Sequence, residues 1–222
     1  MIFLAVFLGN PGFQYKHNRH NAGRLLAEKL PFYDNLAWKK KFQGRYAVVT
    51  GEEFKSILCC PAGESNPLKR HFLIPETYMN LSGHSVRSAA SFFSVPPNGI
   101  IVVHDELELP PGFLSLKYGG GLGGHNGLRS IKENLGTADF WRLRIGIGRP
   151  SGREPGEGGP PVKGVHDGGD GLIAQWVLAD FDKTETEPIN KVLEEGALLL
   201  VRCLSDDPET LLPEWKKKNV LL

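Results

Sequence analysis

The chain has 222 residues, 41% of them hydrophobic and 23% charged, and its 26 Lys and Arg against 25 Asp and Glu leave a formal net charge of +1. That is an ordinary globular composition, with enough chain to bury one sizeable core. The three cysteines (Cys59, Cys60 and Cys203) are odd in number and lack CxxC spacing. They indicate neither a disulfide framework nor a structural zinc site, and they fit a reducing, cytoplasmic compartment. Bulk charge neither announces nor excludes a nucleic-acid partner.

The apolar run 2–8 resembles the core of a signal peptide, but it lacks a basic flank and runs into Gly9-Asn10-Pro11-Gly12, a turn. It predicts a strand buried on both faces. No stretch approaches the roughly 18 apolar residues of a membrane span. Residues 20–30 carry Ala22, Leu25, Leu26 and Leu30 at helical spacing. Runs 45–50 and 54–60 flank Gly51-Glu52-Glu53 and predict a hairpin; 71–75 predicts a short strand. A helix over 79–93 stops at Val95-Pro96-Pro97-Asn98-Gly99, and 99–104 predicts a second buried strand. Alternation marks strands at Phe113–Tyr118 and Trp141–Gly146, with a helix between them over Asn126–Leu135. In that helix Asn126 stands at the expected N-cap and Gly136 at the stop. Residues 188–204 predict a helix with a broad apolar face. The alternation predicts one α/β domain over 1–222, its mixed, mostly parallel twisted sheet flanked by helices. Within it, the segment 150–171 holds eight glycines and four prolines in 22 residues and predicts a mobile loop.

Several chemistries can be set aside. Gly119, Gly121 and Gly124 spell GxGxxG, but no buried strand precedes them and no acidic residue about 20 positions on ends a second strand, as a dinucleotide fingerprint requires. Glycines there would instead let a ligand's backbone approach closely. No Gly-Lys-Ser or Gly-Lys-Thr signals a nucleoside triphosphate. His17 and His20 are three apart, His104, Asp105 and Glu106 are consecutive, and no HExxH occurs. Neighbours on a strand face opposite ways, so no metal is expected. Ser82 lacks a GxSxG elbow, and Cys59-Cys60 reads as core. Any hydrolysis would use water as the nucleophile.

What remains is a set of polar residues where strands end and helices begin. Asn10 follows the first strand and Asp105 follows the run 100–103, at the sheet edge where ligands of open α/β folds gather. His20, Asn80 and Asn126 stand at or near helix starts. A His paired with an Asp is a general base, and Asn can hold a peptide or stabilise an oxyanion. Turn, cap or surface roles equally account for each residue alone. Charge is also uneven: residues 16–41 hold seven basic and two acidic residues, and 117–149 hold six and two. Each stretch is either a solvated face or a phosphate-tracking surface. The residues by themselves reach no further than a hydrolase.

A longer pattern exists. Leu8-Gly-Asn-Pro-Gly12 with Tyr15 and Arg19-His-Asn-Ala-Gly23 are followed by Pro75-Glu-Thr-Tyr-Met-Asn-Leu-Ser-Gly83 and His104-Asp-Glu-Leu-Glu-Leu-Pro-Pro-Gly112. Lys117-Tyr-Gly-Gly-Gly-Leu-Gly-Gly-His-Asn-Gly-Leu128 and Arg142-Leu-Arg-Ile-Gly-Ile-Gly148 complete it. These ordered motifs resemble bacterial-type peptidyl-tRNA hydrolase over residues 3–150, and more loosely to the C-terminus.

The resemblance implies hydrolysis of the ester between a peptide and the 3′ ribose of tRNA, without metal or cofactor. His20 would be the base, Asp105 its support, and Asn10 the group that positions the ester and stabilises its carbonyl oxygen. Tyr15, Asn21, Met79, Asn80, His125 and Asn126 would contact the peptide and the tRNA 3′ end, while Lys117 and Arg144 would grip acceptor phosphates. Peptidyl-tRNA is the implied partner of a cytoplasmic monomer with no obligate protein partner and no membrane contact. Three features depart from the family: Phe7 where Gly is usual, Asn18 in place of Thr before Arg-His-Asn, where it would still cap the turn that follows, and a longer 150–171 segment. The alternative is a non-catalytic RNA-binding relative of the kind that serves intron splicing.

Overall fold

The computed structural model describes residues 1–51, 53–54, 69–150 and 170–222. Its strands are β1 (Leu4–Phe7), β2 (Lys39–Lys41), β3 (Gly44–Val49), β4 (Arg70–Pro75), β5 (Ile100–Glu106), β6 (Phe113–Tyr118), β7 (Trp141–Gly146) and β8 (Lys218–Asn219). They form one sheet in the order β2-β3-β4-β1-β5-β7-β6-β8. The four central strands β4, β1, β5 and β7 are parallel, and only β3 and β6 run against the other six. The antiparallel pairings lie towards the two edges, so the parallel character belongs to the middle. Strands β1, β4 and β5 are buried at every position, as strands covered on both faces are.

Helices cover both faces. They are α1 (Ala22–Ala27), α2 (Ser82–Phe93), α3 (Asn126–Leu135), α4 (Asp170–Leu178), α5 (Thr186–Ser205) and α6 (Pro208–Trp215). One core joins Ala5, Phe7, Ile101 and Leu143 to Leu26, Val192, Leu200 and Trp215 from α1, α5 and α6. The other joins Leu4, Val6 and Val102 to Val86, Leu128 and Ile131 from α2 and α3. Phe7 is fully buried in the first core, so its bulk fills the interior and leaves the cleft edge uncrowded.

The structure corrects four local expectations. Gly51, Glu53 and Phe54 are helical, at odds with the expected turn and strand start; Glu52 and residues 55–60 lie outside the described residues. The hairpin partner of β3 is β2, joined through Phe42 and Gln43, both at positive φ (56° and 52°), as a tight two-residue turn requires. Three consecutive lysines hid β2, because alternation needs apolar positions to show. The helix expected from residue 20 opens as a 3₁₀ turn, Arg19–Asn21, and α1 ends at Ala27. At α3 the cap is His125 rather than Asn126: its Nδ1 accepts from the amides of Gly127 and Leu128. Asn18, expected to cap the following turn, makes no capping hydrogen bond.

The expected mobile loop at 150–171 falls outside the described residues between 151 and 169, and α4 begins at its far end. That helix and α6 were not foreseen. The Gly/Pro composition masked the first. The second is only eight residues long, opened by Asp207 accepting from the Glu209 amide and by Pro208. Among the described residues no helix is long and apolar enough to cross a membrane.

Candidate active site

A cleft of about 870 Å³ opens where β1 and β5 end. Asn10, His20, Met79, Asn80, Asp105, His125 and Asn126 all line it. Seven residues chosen from separate motifs therefore converge, because parallel strands deliver their carboxyl ends to one edge.

His20 and Asp105 form its centre. His20 Nδ1 lies 3.0 Å from both Asp105 carboxylate oxygens. Asp105 is almost fully buried, and its ionised form is held by the two imidazoles around it. Burial alone would raise the Asp105 pKa, but the charges and hydrogen bonds of His20 and His125 outweigh it and drive the value far below the usual carboxylate range. Burial likewise opposes a charge on His20, and Asp105 again outweighs it, so the His20 pKa is raised. The carboxylate accepts a hydrogen bond from Nδ1–H, which leaves Nε2 as the imidazole's basic atom.

The second imidazole is fixed differently. His125 Nε2 lies 3.2 Å from Asp105 Oδ1, while its Nδ1 accepts the Gly127 amide at 3.1 Å. A nitrogen that accepts carries no proton, so the His125 proton is on Nε2 and is donated to Asp105. The candidate ligand atoms of His20, Asp105 and His125 all lie within 4.8 Å of one another. Even so, both His125 nitrogens are engaged, and a cation would have to break the α3 cap to use one. The donor set suits proton handling better than metal binding.

Asn10 is oriented from three sides. Asn21 Oδ1 accepts the Asn10 amide at 2.7 Å, and Asn21 Nδ2 donates to the Asn10 carbonyl at 3.1 Å. Arg24 Nη1 donates to the same carbonyl at 2.8 Å and Nη2 to the Pro75 carbonyl at 2.9 Å, which ties the ends of β1 and β4 together. The Met79 amide donates to Asn10 Oδ1 at 2.8 Å. With that oxygen occupied, Nδ2 is the Asn10 atom available to a substrate carbonyl.

The remaining candidates divide. Tyr15 and Asn21 are not among the lining residues; Asn21 is 2% exposed and spends its carboxamide on Asn10. Lys117 is half-buried beside Arg142 and Arg144, with its pKa lowered by burial and by those two cations. Arg144 is paired: its Nε donates to Glu106 Oε2 at 2.9 Å and its Nη1 to Ser115 Oγ at 3.3 Å. Arg142 is buried and holds the glycine loop through the carbonyls of Gly119 and Gly121. Arg24, Glu106, Arg129, Arg149 and the α4 face were missed. An arginine inside an amphipathic helix gives no sequence signal of the carbonyls it will reach.

The family model described as peptidyl-tRNA hydrolase matches residues 4–220. The chain belongs to the peptidyl-tRNA hydrolase family. A peptidyl-tRNA hydrolase of Treponema pallidum is 45% identical over 99% of this chain and 97% of its own length. One from Histophilus somni is 41% identical over 88% and 86%. The crystal structure of peptidyl-tRNA hydrolase from Acinetobacter baumannii superposes with a TM-score of 0.73 at 30% identity, covering 97% of this chain and 94% of that one. The family's α/β fold and this chain's eight-stranded sheet therefore agree.

Proposed function

We propose that this chain hydrolyses the ester of peptidyl-tRNA by base-catalysed attack of water, with His20 as the base. The observation that carries the assignment is the His20–Asp105 pair, at 3.0 Å to both oxygens, in one cleft with Asn10. His20 Nε2 takes a proton from water as the water attacks the ester carbonyl. Asp105 stabilises the imidazolium that forms, and Asn10 Nδ2 donates to the developing oxyanion. The same imidazolium then returns its proton to the departing ribose oxygen. A positioned base contributes about 10²–10⁴-fold, and one oxyanion donor about 3 kcal/mol. An activated aminoacyl ester needs little more.

Asn80 is exposed in the cleft wall and Asn126 stands at the first turn of α3, which suits both for backbone contacts to the peptide. A site built to pair a peptide amide disfavours a free α-ammonium, which would be desolvated without a partner. N-blocked aminoacyl-tRNA is therefore the substrate and free aminoacyl-tRNA is spared. Lys117 is the cation placed for acceptor phosphates. A peptidyl-tRNA substrate supports a cytoplasmic role, recycling tRNA from abandoned chains. Non-catalytic RNA binding is not favoured, since the base, its carboxylate and Asn10 are all in place.

The test is peptide release from N-acetyl-aminoacyl-tRNA by the purified chain beside His20→Ala. Fast release, lost in the variant while tRNA binding persists, is the expected result. Folded, tRNA-binding protein that releases nothing would overturn the assignment.

A further inference from the structure

Arg19 is 2% exposed and is not among the residues that line the cleft. Its guanidinium carbon lies 3.8 Å from the centroid of the Trp176 ring and 5.3 Å from that of Phe181. Nη2 donates to Glu185 Oε2 at 2.5 Å, and Nη1 donates to the carbonyls of Asp180 and Ala179 at 2.9 and 3.3 Å. The Arg19 amide donates to the Ala179 carbonyl at 3.0 Å, and Asn18 forms an antiparallel bridge with Asp180. A buried cation thus gathers the carbonyls just beyond α4, where a helix leaves acceptors unmatched and its dipole favours positive charge.

Stability is a weak reason to bury that charge, because apolar side chains of similar volume often serve as well or better. What the guanidinium adds is direction: a planar fork fixes angle as well as distance. The helix it seats bears on the cleft. Ile173, Ala174, Val177 and Leu178 of α4 line it, and of these only Val177 is buried. Among the described elements, α4 packs chiefly on the Arg19–Asn21 turn, and the Trp176 indole N–H donates to the Gly148 carbonyl at 2.9 Å. Three consecutive residues therefore organise three parts of the site. Arg19 holds α4, His20 meets Asp105, and Asn21 holds Asn10.

We propose that Arg19 is a positioning residue that sets the apolar face of α4 relative to His20, and that this face takes the side chains of the substrate's peptide. This rests on the peptidyl-ester assignment above. The test compares Arg19→Gln with the unaltered chain on N-acetyl-leucyl-tRNA and N-acetyl-glycyl-tRNA. The expected result is a KM raised about tenfold for the leucyl ester and less than about twofold for the glycyl ester, with kcat and its pH profile unmoved, because apolar binding alone is lost. Arg19→Lys keeps the charge and recovers part of the loss. Where circular dichroism shows Arg19→Gln unfolded, Trp176→Leu removes the ring face and carries the same expected split. An equal rise on both esters, a fall in kcat with a displaced pH profile, or unchanged kinetics in a folded variant would overturn the proposal. No hydrolysis by the unaltered chain would overturn the esterase assignment, and this proposal with it.

Discussion

Asn21 grips Asn10 by both ends of its carboxamide, accepting the Asn10 amide at 2.7 Å and donating to the Asn10 carbonyl at 3.1 Å. The grip fixes the backbone of the residue whose Nδ2 is assigned to the oxyanion, and Met79 fixes that side chain's oxygen. Asn21 is thus one bond removed from the chemistry, although its motif suggests direct contact with substrate. Asn21→Asp replaces the donor with an oxygen facing a carbonyl oxygen, so the pair repels. Its kcat should fall about tenfold or more, short of the roughly 10²–10³-fold expected for Asn10→Ala. A KM increase with intact kcat in steady-state assays would return Asn21 to substrate contact.

The His20–Asp105 pair predicts a pH profile. Asp105 raises the His20 pKa above 6.5, so the neutral base and the acid limb of kcat/KM should titrate above that value. In Asp105→Asn the carboxylate charge is gone and burial acts alone, so the limb should move to lower pH while the maximal rate falls. The linkage has a sign as well. A raised folded-state pKa gives His20 a stabilising contribution that is complete below pH 6.5 and lost as pH rises through the folded value. NMR titration of the His20 ring in both proteins checks the order; a higher pKa in Asp105→Asn would remove Asp105 as the support.

How much of this the sequence disclosed depends on the kind of interaction involved. Covered strands announce themselves as apolar runs, so β1 and β5 could be read, and with them the edge where Asn10 and Asp105 emerge. Convergence could not be read from spacing, since His20 meets Asp105 across 85 residues and only the motif order of a family brought them together. Sequence also gave no hint that His125 would displace Asn126 as a cap, because histidine is a rare capping residue and its use here depends on Asp105 holding the opposite nitrogen. A helix of mostly apolar, partly buried residues, such as α4, lacks the polar face that marks amphipathic helices.

The double duty of His125 makes a separable prediction. His125→Ala removes the α3 cap and one of the two proton donors to Asp105. Loss of a cap costs about 1 kcal/mol, which a shift in Tm reports. Loss of the second donor leaves Asp105 less strongly ionised, so the His20 pKa should change with it. His125→Asn restores a capping side chain but cannot reach both partners, so it should recover the Tm without recovering the pH profile. Recovery of both by Asn would mean that His125 is a cap and nothing more.

The two cations proposed for acceptor phosphates, Lys117 and Arg144, are unequally free to take one. Arg144 is only partly exposed and already holds Glu106 and Ser115, whereas Lys117 stands beside Arg142 and Arg144 with its own charge disfavoured by burial and by both neighbours. A phosphate approaching Lys117 would relieve that repulsion, and each phosphate contact releases condensed counterions, steepening the salt dependence of binding. Lys117→Gln should therefore raise KM with kcat intact and flatten the slope of log KM against log salt by about 1. Arg144→Gln should change the slope less and instead free Glu106, bringing a negative charge to the cleft wall where an anionic substrate must pass. Glu106→Gln tests that part directly: combined with Arg144→Gln it should lower KM relative to Arg144→Gln alone. Equal salt slopes in Lys117→Gln and the unaltered chain would place the acceptor phosphates elsewhere on the surface.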